Sequence, residues 1–167
     1  MMLRKASEHA AVPAAAAPVT ESALLRMPNR ALDDLFRSSP SGPVPDGDMR
    51  GTLVAFSGTP LAKPLAVLTY LLAWQGKIVD SRGGTLVNKI GPFSVRTVKA
   101  IVSVDGSWVD GMPCVLIDYS RTSLVARMVR DEIRLVGPHV YLGVVWLHRR
   151  RVGWFTLREP GGAGRRR

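Results

Sequence analysis

The sequence predicts a mainly β protein, built as an antiparallel up-and-down β-barrel with one buried helix. From residue 77 onward, short apolar segments follow one another at turn signals, and their connections are too short for crossover helices. Several segments run about 7–12 residues, a length suited to a closed barrel. In the longest segment, Val98, Ala100, Val102 and Val104 alternate onto one face, as expected for a half-buried strand.

The chain has the size and composition of one domain with a tail at each end. It holds 167 residues, of which 46% are hydrophobic. The Ala/Pro-rich residues 1–20 are predicted to be disordered, and residues 21–48 to form short helices and a linker. The barrel domain is then expected over residues 49–158, followed by a basic disordered tail at 159–167.

The helix is predicted in the segment KPLAVLTYLLAWQG, residues 63–76. Pro64 suits the first helical position and Gly76 suits the C-terminal stop. Apolar residues surround the segment almost completely, which indicates a helix that is buried or that plugs the end of a hollow. Strands are expected at 51–57, 77–80, 85–90, 93–104, 107–109 (very short, between two Asp-Gly turn signals), 113–119, from Met128, at 139–147 and at 152–157.

A charged stretch interrupts the apolar second half of the chain, and residues 123–134 allow two interpretations. As a helix, they place Val125, Val129 and Ile133 four residues apart. As a turn followed by a strand from Met128, they alternate between two faces. We favour the strand, because the acidic residues that follow would oppose the dipole at a helix C-terminus.

In the strand interpretation, Arg130, Glu132 and Arg134 share one face. If that face points outward, it is a solvated surface; if it points inward, its charges need partners or a polar ligand. Asp118 lies on the preceding strand and borders the core. We expect it to receive a forked hydrogen bond from Arg130 or Arg134.

Several segments together resemble a family of uncharacterised bacterial proteins built like the lipocalin-type (calycin-like) small β-barrels. These segments are WQGKIVD, LVNKI, SWVDGMPCVLIDYSRTS, VRDEIR and VYLGVVW. The resemblance covers residues 43–158. It implies a barrel with an apolar interior, and it brings no established activity or catalytic residue that could be transferred to this sequence.

Motifs of common enzyme classes and metal sites do not occur in the sequence. There is no Gly-x-Ser-x-Gly elbow, phosphate-binding loop or His-Glu-x-x-His motif, and the three histidines are too scattered for a zinc site. We therefore expect no metal and no cofactor. The single cysteine, Cys114, reads as a buried small hydrophobe and indicates a reducing, cytoplasmic location. The longest apolar segment, residues 64–74, is too short to span a membrane as a helix.

Three functional hypotheses follow, and the first is favoured. In it, a non-catalytic barrel binds a small, mostly apolar molecule. The predicted site comprises Trp74, Tyr141 and Trp146 in an apolar wall with Val98, Ala100, Val102 and Leu116, and Asp118, Arg130 and Arg134 as polar anchors, with Tyr119 beside them. The second is an enzyme using Asp118 and Tyr119 as acid–base groups. The third is the weakest and assigns binding of nucleic acid or lipid to residues 149–167. This segment holds seven basic residues and one acidic residue.

Overall fold

Eight strands close into an antiparallel barrel in the order in which they occur along the chain. A computed structural model of the protein describes residues 19–56, 74–90, 95–124 and 126–159. The strands are β1 Gly47–Phe56, β2 Trp74–Asp80, β3 Thr85–Ile90, β4 Val95–Gly106, β5 Pro113–Asp118, β6 Val129–Gly137, β7 Val140–Leu147 and β8 Arg150–Arg158. Pairing of β1 with both β2 and β8 closes the sheet, which confirms the predicted up-and-down barrel.

Two predicted elements differ from the structure. Residues 107–109 form part of the connection between β4 and β5 and not a strand, because this connection folds onto the outer face of β6 through hydrogen bonds from residues 107 and 108 to Glu132. Residues 74–76, predicted as the end of the helix, instead begin β2. The rest of that predicted helix, residues 63–73, lies outside the described residues, as do most of both predicted disordered ends.

The strand interpretation of the charged stretch is confirmed. Strand β6 begins at Val129, and the described residues between it and β5 form turns. The side chains of Val129, Ile133 and Leu135 point into the barrel core, so the alternate residues of β6 point outward.

Apolar side chains fill the half of the barrel in which β1 begins and β2 ends, called here the lower half. They include Met49, Val79, Leu86, Ala100, Val102, Val115, Ile117, Ile133 and Leu157, all buried. The upper half, in which β1 ends and β2 begins, is lined by a different set of residues that includes charged groups.

Two helices, α1 (Glu21–Leu24) and α2 (Asn29–Ser38), pack on the outside of the barrel. Their apolar residues Leu24, Leu32 and Phe36 join a second buried cluster with side chains of β7 and β8. The Phe36 ring meets the Trp154 ring edge-on at 5.7 Å between centroids. The sequence places these helices before the barrel domain, and the structure shows that they cover one of its outer faces. Across the described ranges, no helix combines the length and apolar character needed to cross a bilayer.

Candidate functional site

Four polar side chains from four different parts of the barrel meet in its upper half. Lys77 on β2 donates hydrogen bonds from Nζ to Asn88 Oδ1 on β3 (2.8 Å), to Tyr119 Oη after β5 (2.6 Å) and to Asp131 Oδ2 on β6 (2.8 Å). Each of the four residues is at most 5% exposed. An ammonium group has three N–H bonds, so the protein supplies an acceptor for every one of them. These four residues are called the inner cluster below.

Further hydrogen bonds connect the inner cluster internally. Asn88 Nδ2 donates to Tyr119 Oη at 3.0 Å, and Tyr119 Oη donates to Asp131 Oδ2 at 3.0 Å. Trp74 Nε1 donates to Asn88 Oδ1 at 3.2 Å. By contrast, Asp131 Oδ1 is buried and has no hydrogen-bond donor within the described parts of the chain. A buried carboxylate oxygen in this situation requires an explanation, because desolvation without a partner is costly.

The inner cluster forms one wall of a cavity of about 40 Å³. The other lining residues in the described part of the chain are apolar or aromatic. They are Leu53, Trp74, Ala126, Val129, Val145, Leu147, Val152 and Phe155. An apolar cavity with a few convergent polar groups is the usual form of a small-molecule site.

A β-bulge in β2 brings Trp74 and Lys77 to the same side of the sheet. The register of β2 against β3 shifts between Trp74 and Gly76, so two side chains three residues apart both point inward. Gly76 has a φ of 135°, and a Cβ added there would lie 2.0 Å from the carbonyl oxygen of Met49. This position therefore requires glycine for the bulge, and the predicted role of Gly76 as a helix stop is wrong.

Two aromatic rings in the cavity wall rest on glycines of neighbouring strands. The Trp74 ring covers Gly51, where an added Cβ would lie 2.1 Å from a ring carbon, and the Phe155 ring covers Gly143 in the same way at 2.2 Å. The two rings meet edge-on at 5.4 Å between centroids. Lys77 Nζ lies 5.2 Å from the Trp74 centroid, so the aromatic wall also contributes a cation–π contact to the inner cluster.

The charge of Lys77 depends on its neighbours. Burial lowers the pKa of Lys77 below its ordinary value, whereas the charge of Asp131 and its hydrogen bond raise that pKa in part. The lowering by burial is the larger effect. Lys77 and Asp131 therefore form a buried ion pair whose cation is held against an unfavourable environment.

Some of the sequence-predicted site residues do lie inside the barrel. Trp74 and Tyr119 line the cavity, and Val98, Ala100 and Val102 belong to the interior core. Tyr141 is also interior, and its hydroxyl donates to the carbonyl oxygen of Pro43 at 3.1 Å. It packs in the core, and the cavity walls do not include it.

The predicted polar anchors Asp118, Arg130 and Arg134 lie on the outer face of the barrel, together with Leu116 and Trp146. Asp118 accepts hydrogen bonds from the backbone N–H and the hydroxyl of Ser120, at 2.8 and 3.0 Å. Arg130 bonds instead to Glu132, so the predicted fork to Asp118 does not form among the described residues. Asp118 and Tyr119 point to opposite sides of the sheet and cannot act as one acid–base pair.

The outer face of β6 is buried and not solvated, contrary to the simpler expectation for an outward-pointing charged face. Glu132 and Arg134 are both fully buried. Helix α2 and the β4–β5 connection cover them, as shown by bonds from Arg134 to Phe36 O (2.9 Å) and to both oxygens of Asp110 (2.8 and 2.7 Å). The outer cluster is defined here as Ser107, Asp110, Arg130, Glu132 and Arg134.

Sequence reasoning missed Lys77, Asn88 and Asp131 as functional candidates. The sequence did contain a signal for them, because each is a polar residue on the apolar face of a predicted strand. Lys77 shares a face with Val79, and Asn88 shares a face with Leu86. Asp131 shares a face with Ile133. Cys114 is buried as predicted, and burial raises the pKa of its thiol to about 12, so it is not a reactive nucleophile at neutral pH. Within the described ranges, no three His, Cys, Asp or Glu side chains are grouped so that they could hold a metal ion.

The fold and the cavity define a closed eight-stranded β-barrel with an internal polar cluster. A crystal structure of a protein from Thermomonospora curvata has a similar fold, with a TM-score of 0.58 and 15% sequence identity. The similarity covers 80% of this chain and 88% of that chain. At this identity it shows the barrel fold alone. No protein-family model matches the sequence, and no curated protein matches it.

Proposed function

We propose that the protein is a non-catalytic carrier that binds a small, mostly apolar molecule in the upper half of its barrel. The observation that carries the proposal is the cavity itself: among the described residues, eight apolar or aromatic side chains line it, and the inner cluster supplies one polar wall. Such a site combines burial of an apolar ligand with a fixed polar contact that orients it. In this proposal the protein acts as a lipocalin-type barrel, and its single buried cysteine fits a cytoplasmic location.

The cavity volume limits what the site encloses without rearrangement. A buried water molecule needs about 10–15 Å³ of such space, and the cavity offers about 40 Å³. The enclosed part of the ligand therefore has only a few non-hydrogen atoms. A larger ligand requires movement of the side chains that line the cavity.

The other two hypotheses receive less support. The enzyme hypothesis depended on Asp118 and Tyr119 acting together, and they lie on opposite faces of the sheet. For the basic C-terminal end, residues 160–167 lie outside the described ranges. Arginines in the described part of this basic end contact other residues of the protein. Arg151 forms a salt bridge with Asp33, and the Arg149 guanidinium carbon lies 4.7 Å from the centroid of the Trp108 ring. Both contacts are compatible with a structural role.

Native mass spectrometry of the protein purified from its own host tests the proposal directly. We expect a mass above that of the denatured chain, with the excess lost on denaturation. A cavity-filling variant provides the second measurement. Val145→Phe adds volume inside the cavity, and we expect it to abolish the excess mass while the fold persists, since the cavity provides part of the space that the ring needs.

Val104→Phe is the matched control, because Val104 is 57% exposed and does not line the cavity. It makes the same chemical change outside the site. Circular dichroism establishes whether each variant is folded. If both variants retain the same bound mass, or if the wild-type protein carries none and binds no member of the alcohol series described below, the carrier proposal is wrong.

A further inference from the structure

We infer that the ligand carries a neutral hydrogen-bond donor, such as a hydroxyl group, which binds Asp131 Oδ1. This inference rests on the proposed function and specifies the ligand class. It separates the site from one that holds a fatty acid by its carboxylate. The argument comes from the donors and acceptors of the inner cluster and from its charge.

The donors of the inner cluster are already used within the protein. All three N–H bonds of Lys77 have acceptors at 2.6–2.8 Å. Asn88 Nδ2 donates to Tyr119 Oη and to the carbonyl oxygen of Val98. Tyr119 Oη donates to Asp131 Oδ2. A ligand carboxylate would therefore have to break an existing bond in order to receive a donor.

Asp131 Oδ1 is the acceptor that lacks a donor within the described residues. Asp131 lines the cavity, but Oδ1 itself is buried away from bulk water, so a ligand group reaches this oxygen by a small rotation of the carboxylate toward the cavity. A ligand O–H or N–H group would supply the missing hydrogen bond. Hydrogen bonds to a charged partner contribute more than neutral ones, and they contribute most where the oxygen is otherwise unsatisfied.

Charge favours a neutral donor over an ionised group. Lys77 and Asp131 compensate each other inside the barrel. A carboxylate would add a second negative charge next to Asp131, and an ammonium would add a second positive charge near Lys77; both would also lose their hydration in the apolar cavity. A neutral hydroxyl avoids both effects and still donates a hydrogen bond.

Matched ligand series test the inference with the wild-type protein. The probes are 1-alkanols from ethanol to 1-octanol, their methyl ethers, which lack the donor, and carboxylates of the same chain lengths. Isothermal titration calorimetry at neutral pH measures each dissociation constant. We expect each alcohol to bind at least about tenfold more tightly than its ether or carboxylate, a difference that one hydrogen bond to a charged group can supply. The chain length at which the affinity stops rising measures the usable space.

The outcomes separate the two proposals. If alcohols and ethers bind equally well, or if carboxylates bind more tightly, the donor inference is wrong, although the barrel still binds ligands. If none of the probes binds, the donor inference is also wrong. If none of the probes binds but native mass spectrometry shows a retained ligand, the carrier proposal is supported without the donor inference.

A double variant adds a structural control. Lys77→Met/Asp131→Leu replaces the ion pair with apolar side chains of similar size, which proteins often tolerate without loss of stability. We expect this variant to lose most of the preference for alcohols over ethers, since the charged acceptor is gone while the apolar walls persist and only the neutral acceptors Asn88 Oδ1 and Tyr119 Oη are freed by the loss of Lys77. An undiminished preference for alcohols in the folded variant would assign the preference to another group and overturn the role of Asp131.

Discussion

Strand β6 carries buried charged residues on both of its faces, and the two faces are built differently. On the outer face, Arg134 donates to six acceptors: the carbonyl oxygens of Phe36, Arg37, Met112 and Pro113, and both carboxylate oxygens of Asp110. Glu132 accepts bonds at both oxygens from Ser107, Trp108 and Arg130. On the inner face, Asp131 bonds through Oδ2, and its Oδ1 has no donor in the described parts of the chain.

The outer cluster connects helix α2 and the β4–β5 connection to the barrel. The last carbonyl oxygens of an α-helix have no partners within the helix, and Arg134 supplies donors to two of them at the end of α2. The same guanidinium holds the β4–β5 connection through Asp110, and these hydrogen bonds hold the pKa of Asp110 below its usual value. The outer cluster thus fastens a helix and a loop to the barrel. In the inner cluster, by contrast, Asp131 lines the cavity and its buried Oδ1 has no donor among the described residues.

The largest effect is expected from breaking the outer cluster. Arg134→Met removes the cation and leaves buried carbonyl groups and a carboxylate without their donor, so we expect a loss of about 3–5 kcal/mol in the free energy of unfolding. Chemical denaturation measures this loss. Arg150→Met, at an exposed position of β8, is the control and should change the free energy by less than about 0.5 kcal/mol. Equal effects of the two substitutions would contradict the structural role of the outer cluster.

A smaller effect is expected from the glycine that orients the inner cluster. In Gly76→Ala, the new Cβ would collide with the carbonyl oxygen of Met49, and relief of the collision would shift β1 or remove the bulge. Gly47→Ala is the matched control, because Gly47 also has a positive φ (83°) but has open space around the added Cβ. We expect Gly76→Ala to cost about 1–3 kcal/mol more than the control, as overpacking usually does.

The two glycine variants also differ in ligand binding. Loss of the bulge would turn Lys77 away from Asp131, so Gly76→Ala should weaken alcohol binding as well as stability. Gly47→Ala should leave binding unchanged, because Gly47 lies at the start of β1, away from the cavity walls. Equal free energies of unfolding for the two variants would show that the bulge does not depend on glycine.

The barrel could be predicted from the sequence because its evidence is local. Alternation within a strand, turn signals between strands and short connections are each visible in a few consecutive residues. Alternation also placed Asp131 with Val129 and Ile133, as the structure confirms. It could not show which face of β6 points inward, because α2 and the β4–β5 connection bury the outer face as well. With both faces buried, polarity does not distinguish inside from outside.

The inner cluster could not be assembled from local evidence. Lys77 and Asp131 are 54 residues apart in the sequence and meet only across the closed barrel. The bulge that directs Lys77 inward depends on Gly76, and the sequence around Gly76 is equally typical of a helix end. Lys77, the basic residue of the inner cluster, therefore directly follows a wrongly predicted helix end and was not recognised. The arginines of β6, which stand out in the sequence, belong to the outer face.

The pH dependence of stability gives the smallest and most specific contrast between the two clusters. Burial lowers the pKa of Lys77 from its ordinary value of 10.5. Between the lowered pKa and 10.5, the unfolded chain binds a proton that the folded chain does not, so the free energy of unfolding rises with pH in this window. A single group contributes a slope of at most about 1.4 kcal/mol per pH unit. The outer cluster contains no lysine, so this pH window belongs to the inner cluster.

The double variant Lys77→Met/Asp131→Leu removes this contribution together with the Asp131 carboxyl, and all other titrating groups are shared with the wild-type protein. We expect the stability of the wild type relative to the double variant to increase with pH in the range just below the ordinary lysine value of 10.5. Urea denaturation at several pH values measures the difference. A constant difference would mean that Asp131 and the other acceptors hold the proton of Lys77 as firmly as water does. In that case the inner ion pair would resemble the outer cluster, and the two faces of β6 would differ in Asp131 Oδ1, the buried oxygen without a donor among the described residues.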